Sequence, residues 1–377
     1  MIAIVLATIA VVPRGGHRLA STTPPKTAKP TVPTAPPRGS AVESRQPSTS
    51  STTAAGALAP SSPAATGGPI TIAFAGDIHF EKGLRTALDA GPSKPLAGVQ
   101  SLLSEPDLTV ANLETAVTGR GDPAPGKQFH FRAPAAAFGA LAASGIDVVS
   151  MANNHGMDYG MVGLADSLDA AAAAHFPVIG IGRDEDQAYA PYIATIRGQR
   201  VAVIAATQVL DANLVAAWTA GPAKPGLASA KRLDRLVEAV RAARAIADTV
   251  VVFLHWGTEG QTCPNADQPP LEQALADAGA DVVVGSHAHR LLGAGFAGHT
   301  FVAYGLGNFA FYASGGPGTE TGVLALQVQG RNVVDWRWSP AKIVGQLPRA
   351  LAGTEATTAH AAFMALEGCA RLTPRPG

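Results

Sequence analysis

Cysteine is nearly missing from this chain: Cys263 and Cys369 are the only two among 377 residues. A structural zinc site built on clustered thiolates is therefore excluded. One disulfide in an oxidising compartment and two unrelated thiols both stay open. A net charge is missing as well. Lys and Arg number 28 against 28 Asp and Glu, and no Lys/Arg cluster falls in the part that reads as folded. That removes the electrostatic footprint of a nucleic-acid binder, so no nucleic acid is expected as a partner. The apolar run Ile2 to Val12 falls short of the ~20 residues a membrane-spanning helix needs. Its length is that of a signal-peptide core, with Arg14 and Arg18 behind it rather than ahead.

Residues 13–69 have almost no aromatics and are dominated by Pro, Ser, Thr, Ala and Gly. Such a composition cannot bury enough apolar surface to offset the entropy of ordering. The organisation expected is a hydrophobic signal or anchor-like segment at 1–12, a disordered linker at 13–69, a catalytic-type domain at 70–345 and a weakly structured tail at 346–377. An extracytoplasmic, cell-envelope location follows from the leader and linker, with the protein secreted or anchored.

What the chain does have is a recurrence. Six short apolar runs each stop at residues able to bind a metal: Ile70–Ala75 before Asp77 and His79, Leu108–Ala111 before Asn112 and Glu114, and Val148–Ala152 before Asn153, Asn154 and His155. Val250–Leu254 stops before His255, Val282–Val284 before His287 and His289, and Thr300–Tyr304 before Asn308. Runs of this kind read as buried strands, and open α/β sheets bind ligands beyond the carboxyl ends of their strands. Helix-period segments at Ala133–Ser144, Met161–His175, Ala230–Ala247 and Leu271–Ala278 alternate with them. Tyr192–Ile196, Arg200–Ala205 and Thr321–Val328 read as strands without intervening helices, the first two joined by a hairpin at Gly198-Gln199. The fold class expected is α/β, with two sheets face to face and helices outside.

Only ten residues are His, and five of them sit in these motifs. Imidazole with carboxylate and amide oxygen suits borderline ions of the Mn, Zn or Fe class. Asp77 and His79, like His287 and His289, are alternate residues that share one side of an extended segment. With one carboxylate between them they suffice for two divalent ions about 3.5–4 Å apart, the arrangement that clamps a phosphoryl group during in-line displacement. Glu114 is the candidate bridge. Of Asn153 and Asn154, one is expected to close a turn and the other to face the metal. Glu259, His130, Arg132 and Arg290 lie close to the motifs, and a guanidinium such as Arg132 forks onto carboxylate or phosphate.

Taken in order, Gly76-Asp77, Ala111-Asn112-Leu113-Glu114, Met151 to Gly160, His255-Trp256-Gly257, Gly285 to His289 and Tyr304 to Phe309 resemble the CapA family of poly-γ-glutamate capsule-synthesis proteins, themselves similar to calcineurin-like metallophosphoesterases. The resemblance covers about Ile70 to Ala325 and implies a four-layer α/β/β/α sandwich with a two-metal site. It implies Asp77, His79 and His289 on one ion, and Asn154, His255 and His287 on the other. His155, oriented by Asp158, would be the acid or charge stabiliser near the leaving group. Glu114 stands where the phosphoesterases carry a bridging Asp, which is one methylene shorter. Asn153, Arg132 and Asn308 would support the ligands or touch substrate. The function implied is metal-assisted hydrolysis or transfer in the making of an acidic envelope polymer, acting on that polymer or a phosphorylated small molecule, with membrane-bound synthase partners. The alternative is a non-catalytic polymer-binding or export scaffold that keeps the ancestral site.

Overall fold

The computed structural model describes residues 67–377. The expected leader and nearly all of the linker lie outside the described residues. Among the described residues no helix is long and apolar enough to cross a membrane.

Two sheets carry the fold. The first runs, edge to edge, Leu347–Ala350, Asn332–Val344, Glu320–Gln329, Ile70–Ile78, Leu108–Leu113, Val148–Ser150 and Val178–Ile179, with Asn308–Ala310 also paired to Ile70–Ile78. The second runs Ala294–Ala297, Thr300–Ala303, Val282–His287, Thr249–Trp256, Gln199–Thr207 and Tyr192–Ile196. The strands that end in the motifs are mutually parallel within each sheet, whereas the hairpin Tyr192–Ile196 to Gln199–Thr207 is antiparallel.

The continuous apolar character of Ile70–Ala75 has a physical reason, because both faces of that strand are covered. Its alternate side chains Ile72 and Phe74 join Val203, Val251 and Phe253 of the second sheet in the inter-sheet core. Ala73 and Ala75 face the other way, into a layer with Leu84, Phe138, Leu141 and Leu164 from the helices Lys82–Asp89, Ala136–Ala143 and Gly160–Ala173. On the far side of the second sheet, Leu236, Val240 and Leu275 of Leu233–Ile246 and Gln268–Ala278 pack on Ala202, Ile204 and Val252. The result is the α/β/β/α order expected from the sequence.

The region after residue 345 holds more structure than its composition suggests. Leu347–Ala350 extends the first sheet, and the helix Gly353–Met364 follows. Phe363 of that helix stacks on Trp338 with ring centroids 4.2 Å apart. Cys369 is joined to Cys263 by a disulfide, with Cα atoms 5.5 Å apart. An Ala- and Thr-rich helix with one buried aromatic gives little periodic signal, yet these tertiary contacts hold it in place.

Candidate metal centre

Sheet register does the first part of the assembly. Asp77 lies in register with Asn112 on one neighbouring strand and with Asn308 on the other. In the second sheet His255 stands opposite Ser286, and Trp256 opposite His287. Two glycines permit the close approach. A Cβ on Gly76 would fall 2.0 Å from the Gly307 carbonyl, and one on Gly285 would fall 2.1 Å from Trp256 Nε1. With glycine at 76, the Asp77 N–H instead donates to Gly307 O at 2.9 Å.

Glu114 sits at the middle of the pocket. It is fully buried, and neither carboxylate oxygen has a hydrogen-bond partner among the described residues. Its Oε1 is instead 3.5 Å from His255 Nε2 and 3.9 Å from both His155 Nε2 and His289 Nε2. Glu114 belongs to two groups of three side chains whose ligand atoms all lie within 4.8 Å of one another: Glu114 with His255 and His287, and Glu114 with Asp77 and His289. A third such group joins His287 and His289 to exposed Glu259. A buried carboxylate left without a donor costs several kcal/mol, and a cation shared among these atoms removes that cost. In the same pocket, His287 Nδ1 is likewise buried without a hydrogen-bond partner among the described residues. The residues present therefore fit a divalent cation.

Electrostatics keep His255 and His287 ready to coordinate, and hold a proton on His289. Burial, then positive neighbours, holds His255 well below the ordinary histidine value. His287 is lowered to about 3 by burial and by His289. Both are neutral near pH 7, with lone pairs available. Burial opposes charging of His289 too, but Glu114 and Asp77 outweigh it and raise this group to about 9. Burial, then Asp77, pushes Glu114 well above the usual carboxylate range. His289 Nδ1 lies 2.9 Å from Asn308 Oδ1 and 3.3 Å from Asp77 Oδ2, so its N–H points at two acceptors and Nε2 is left for the pocket. Asn308 in turn donates from Nδ2 to Gly318 O. His287 and His289 adopt φ of +93° and +53°, a region L-residues seldom enter and one associated with functional sites.

The two Asn residues divide their work. Asn153 donates from Nδ2 to Asn112 Oδ1 and Leu113 O, and its Oδ1 accepts the His155 N–H. Asn154 presents Oδ1 2.7 Å from His255 Nε2. His155 stacks on Phe131 and places Nδ1 2.5 Å from Asp158 Oδ2. Asp158 is fully buried and also accepts the Phe131 N–H at 2.7 Å and Lys127 Nζ at 2.5 Å.

Two expected residues stand elsewhere. His79 is buried beside Phe131, Phe311 and Tyr312, and its ring nitrogens face the backbone N–H groups of Glu81 and Tyr312. It belongs to none of the three ligand groups, because the irregular register after Asp77 turns the chain and breaks the simple alternation. Arg132 lays its guanidinium over the Tyr159 ring at 3.5 Å and donates Nη2 to the carbonyls of Arg120 and Gly121. Its fork is thus occupied by backbone rather than turned to a substrate. Asn112, Lys127 and Ser286 join the site without having been singled out for a role. Asn112 donates to Asp77 Oδ1 at 2.8 Å, and Ser286 Oγ lies 2.9 Å from His255 Nδ1. Asn112 could have been found, since it lies two residues before Glu114 at the end of the strand Leu108–Leu113; Lys127 lies in a turn-rich stretch with no periodic signal.

The family model for bacterial capsule synthesis protein PGA_cap matches residues 71–313. The chain is similar to the PGA biosynthesis protein CapA of Bacillus subtilis, 29% identical over 245 residues that cover 64% of this chain and 63% of that one. It is 28% identical to the capsule biosynthesis protein CapA of Bacillus anthracis over 249 residues, 64% of this chain and 60% of that one. The chain thus spans about three-fifths of the length of these curated relatives. The solved 5′-nucleotidase of Candida albicans aligns with 79% of this chain and 55% of its own at 12% identity and a TM-score of 0.45. The chain belongs to the bacterial capsule synthesis protein PGA_cap family.

Proposed function

We propose that the protein is a metal-dependent hydrolase or transferase acting outside the cytoplasm in the making or attachment of an acidic envelope polymer of the poly-γ-glutamate type. The carrying observation is Glu114: a carboxylate with no donor, ringed by three imidazoles and shared by two ligand groups. Asp77 and His289 would hold one divalent ion and His255, His287 and Asn154 a second, with Glu114 available to either group. Ions bound there supply Lewis-acid chemistry, polarising a phosphoryl or carbonyl oxygen and lowering the pKa of water. The polymer role rests on the relatives' names, and the location is supported by the disulfide, which persists in oxidising compartments.

The chain's own residues handle the proton. Burial lowers His155 despite Asp158, so the ring rests neutral. Asp158 holds the proton on Nδ1, which leaves Nε2 facing the pocket to take a proton and return it to a leaving group. Lys127 anchors Asp158 from behind, so the ring cannot swing.

Elemental analysis of purified protein, with phosphodiester hydrolysis and poly-γ-glutamate chain-length assays across Mn, Zn and Fe, tests the proposal. Bound metal with turnover lost in His155→Ala supports it. Metal-free protein inert toward both substrate classes refutes it. Polymer affinity that survives His155→Ala and Asp77→Ala, without turnover in any variant, selects the scaffold reading instead.

A further inference from the structure

A cleft of about 590 Å³, lined by none of the proposed metal ligands, lies between the helix Gly353–Met364, the strand Asn332–Val344 and the chain just after His289. Its volume is that of a small-molecule site. Leu291, Trp338, Leu351, Phe363 and Leu366 give it apolar walls. Two lining residues are polar and buried without partners: Trp338, 3% exposed, has no acceptor for Nε1, and Thr321, 1% exposed, has none for Oγ1. Both atoms are sealed from solvent behind the wall, so the surface that a ligand meets along this part of the trough is apolar.

Charge narrows the class. Four charged side chains line the cleft. Glu355 is paired with Arg349, whereas exposed Glu320 and Lys342 are cross-strand neighbours with no ion pair between them. Among the described residues neither Arg290 nor Lys342 has a carboxylate within salt-bridge distance, and Arg290 is the less exposed of the two. An unpaired guanidinium beside an apolar trough is complementary to an anionic head on an aliphatic body. The wall is also held in place, since Thr262 lines the cleft and the adjacent Cys263 is tied to Cys369 of the short helix Glu367–Ala370.

We propose that this cleft is a second ligand site, separate from the metal centre, for a small anionic amphiphile: its chain lies along Trp338 and Phe363, and its carboxylate or phosphate head meets Arg290. The site is independent of the proposed reaction, and its test reads binding alone. Isothermal titration of the full chain uses decanoate and decyl phosphate below their micellar concentrations, with decanol and a γ-linked tetraglutamate as comparators. The expected result is saturable one-to-one binding of at least one decyl anion, weakened tenfold or more in Arg290→Gln and lost in Ala362→Phe, which fills the trough from the exposed helix face. Decanol binding changes less than twofold in Arg290→Gln. Ala359→Phe repeats the block should Ala362→Phe unfold. A preference between the two heads identifies the ligand as carboxylate or phosphate. No saturable binding of either decyl anion, binding that survives both Phe variants, or tighter binding of tetraglutamate than of decanoate overturns the proposal.

Discussion

Glu114→Gln separates a metal centre from a merely buried acid. Glu114 is common to the Asp77/His289 and His255/His287 groups, so its loss weakens both, whereas His255→Ala removes a ligand from one. A site filled at a hundredfold above its Kd stabilises the folded state by about 2.7 kcal/mol, so two independent sites contribute about 5.4. Unfolding entropy of about 2.1 cal/mol/K per residue makes each kcal/mol worth roughly 1.5 °C in a chain of this size. Adding Mn to chelator-treated protein should therefore raise the Tm by about 8 °C in the wild type, by about 4 °C in His255→Ala and by less than about 2 °C in Glu114→Gln. Scanning calorimetry with matched elemental analysis reads all three. A wild-type Tm indifferent to Mn, Zn and Fe, or a Glu114→Gln variant that keeps the full shift, refutes the reasoning.

Asp158→Asn strands the buried Lys127 ammonium and should cost about 3–5 kcal/mol in denaturant unfolding, while adding Lys127→Met to it recovers at least about 1 kcal/mol; strict additivity of the two single changes would contradict the pairing. Metal affinity should rise with pH from 6 towards 9, because His289, raised to about 9, holds a proton that the ion must displace; the slope expected from titrations is about tenfold per unit, and a flat profile excludes that competition. Cys263 and Cys369 are 106 residues apart, so reduction should cost about 4–5 kcal/mol in the chain-entropy account and lower the Tm by about 6–8 °C; a Tm unchanged by dithiothreitol would count against it.

How much of this was legible depends on where each residue's partners lie. The α/β/β/α layering could be read because buried parallel strands are apolar on both faces, and runs such as Ile70–Ala75 and Val250–Leu254 announce that without knowledge of their neighbours. The gathering of Asp77, Glu114, His255, His287 and His289 followed from one rule about strand ends, since parallel strands in each sheet bring those ends to one edge. His79 and Arg132 escaped that rule. Alternation puts His79 on the same side as Asp77 only while the strand stays regular, and its register shifts at Asp77/Ile78, where Asn308–Ala310 pairs alongside. Arg132 depends on the carbonyls of Arg120 and Gly121 and on the ring of Tyr159, three partners supplied by loop conformation and carrying no period.

The same distinction explains Lys127, whose role exists only because a turn folds back over Asp158. A buried cation that fixes a carboxylate, which in turn fixes a neutral imidazole, is a chain of long-range consequences. Each link is short, between 2.5 and 2.7 Å where Asp158 meets Lys127, His155 and the Phe131 N–H, yet no link joins residues at helix or strand spacing within one regular element. Metal ligands are legible where strand ends deliver them, and His155 with Asp158 three residues on is legible as a local pair, whereas Lys127 is not, because a tertiary contact delivers it. Replacing the ligands should therefore disturb metal content first, and replacing Lys127 should disturb the pH profile of turnover while metal content stays whole.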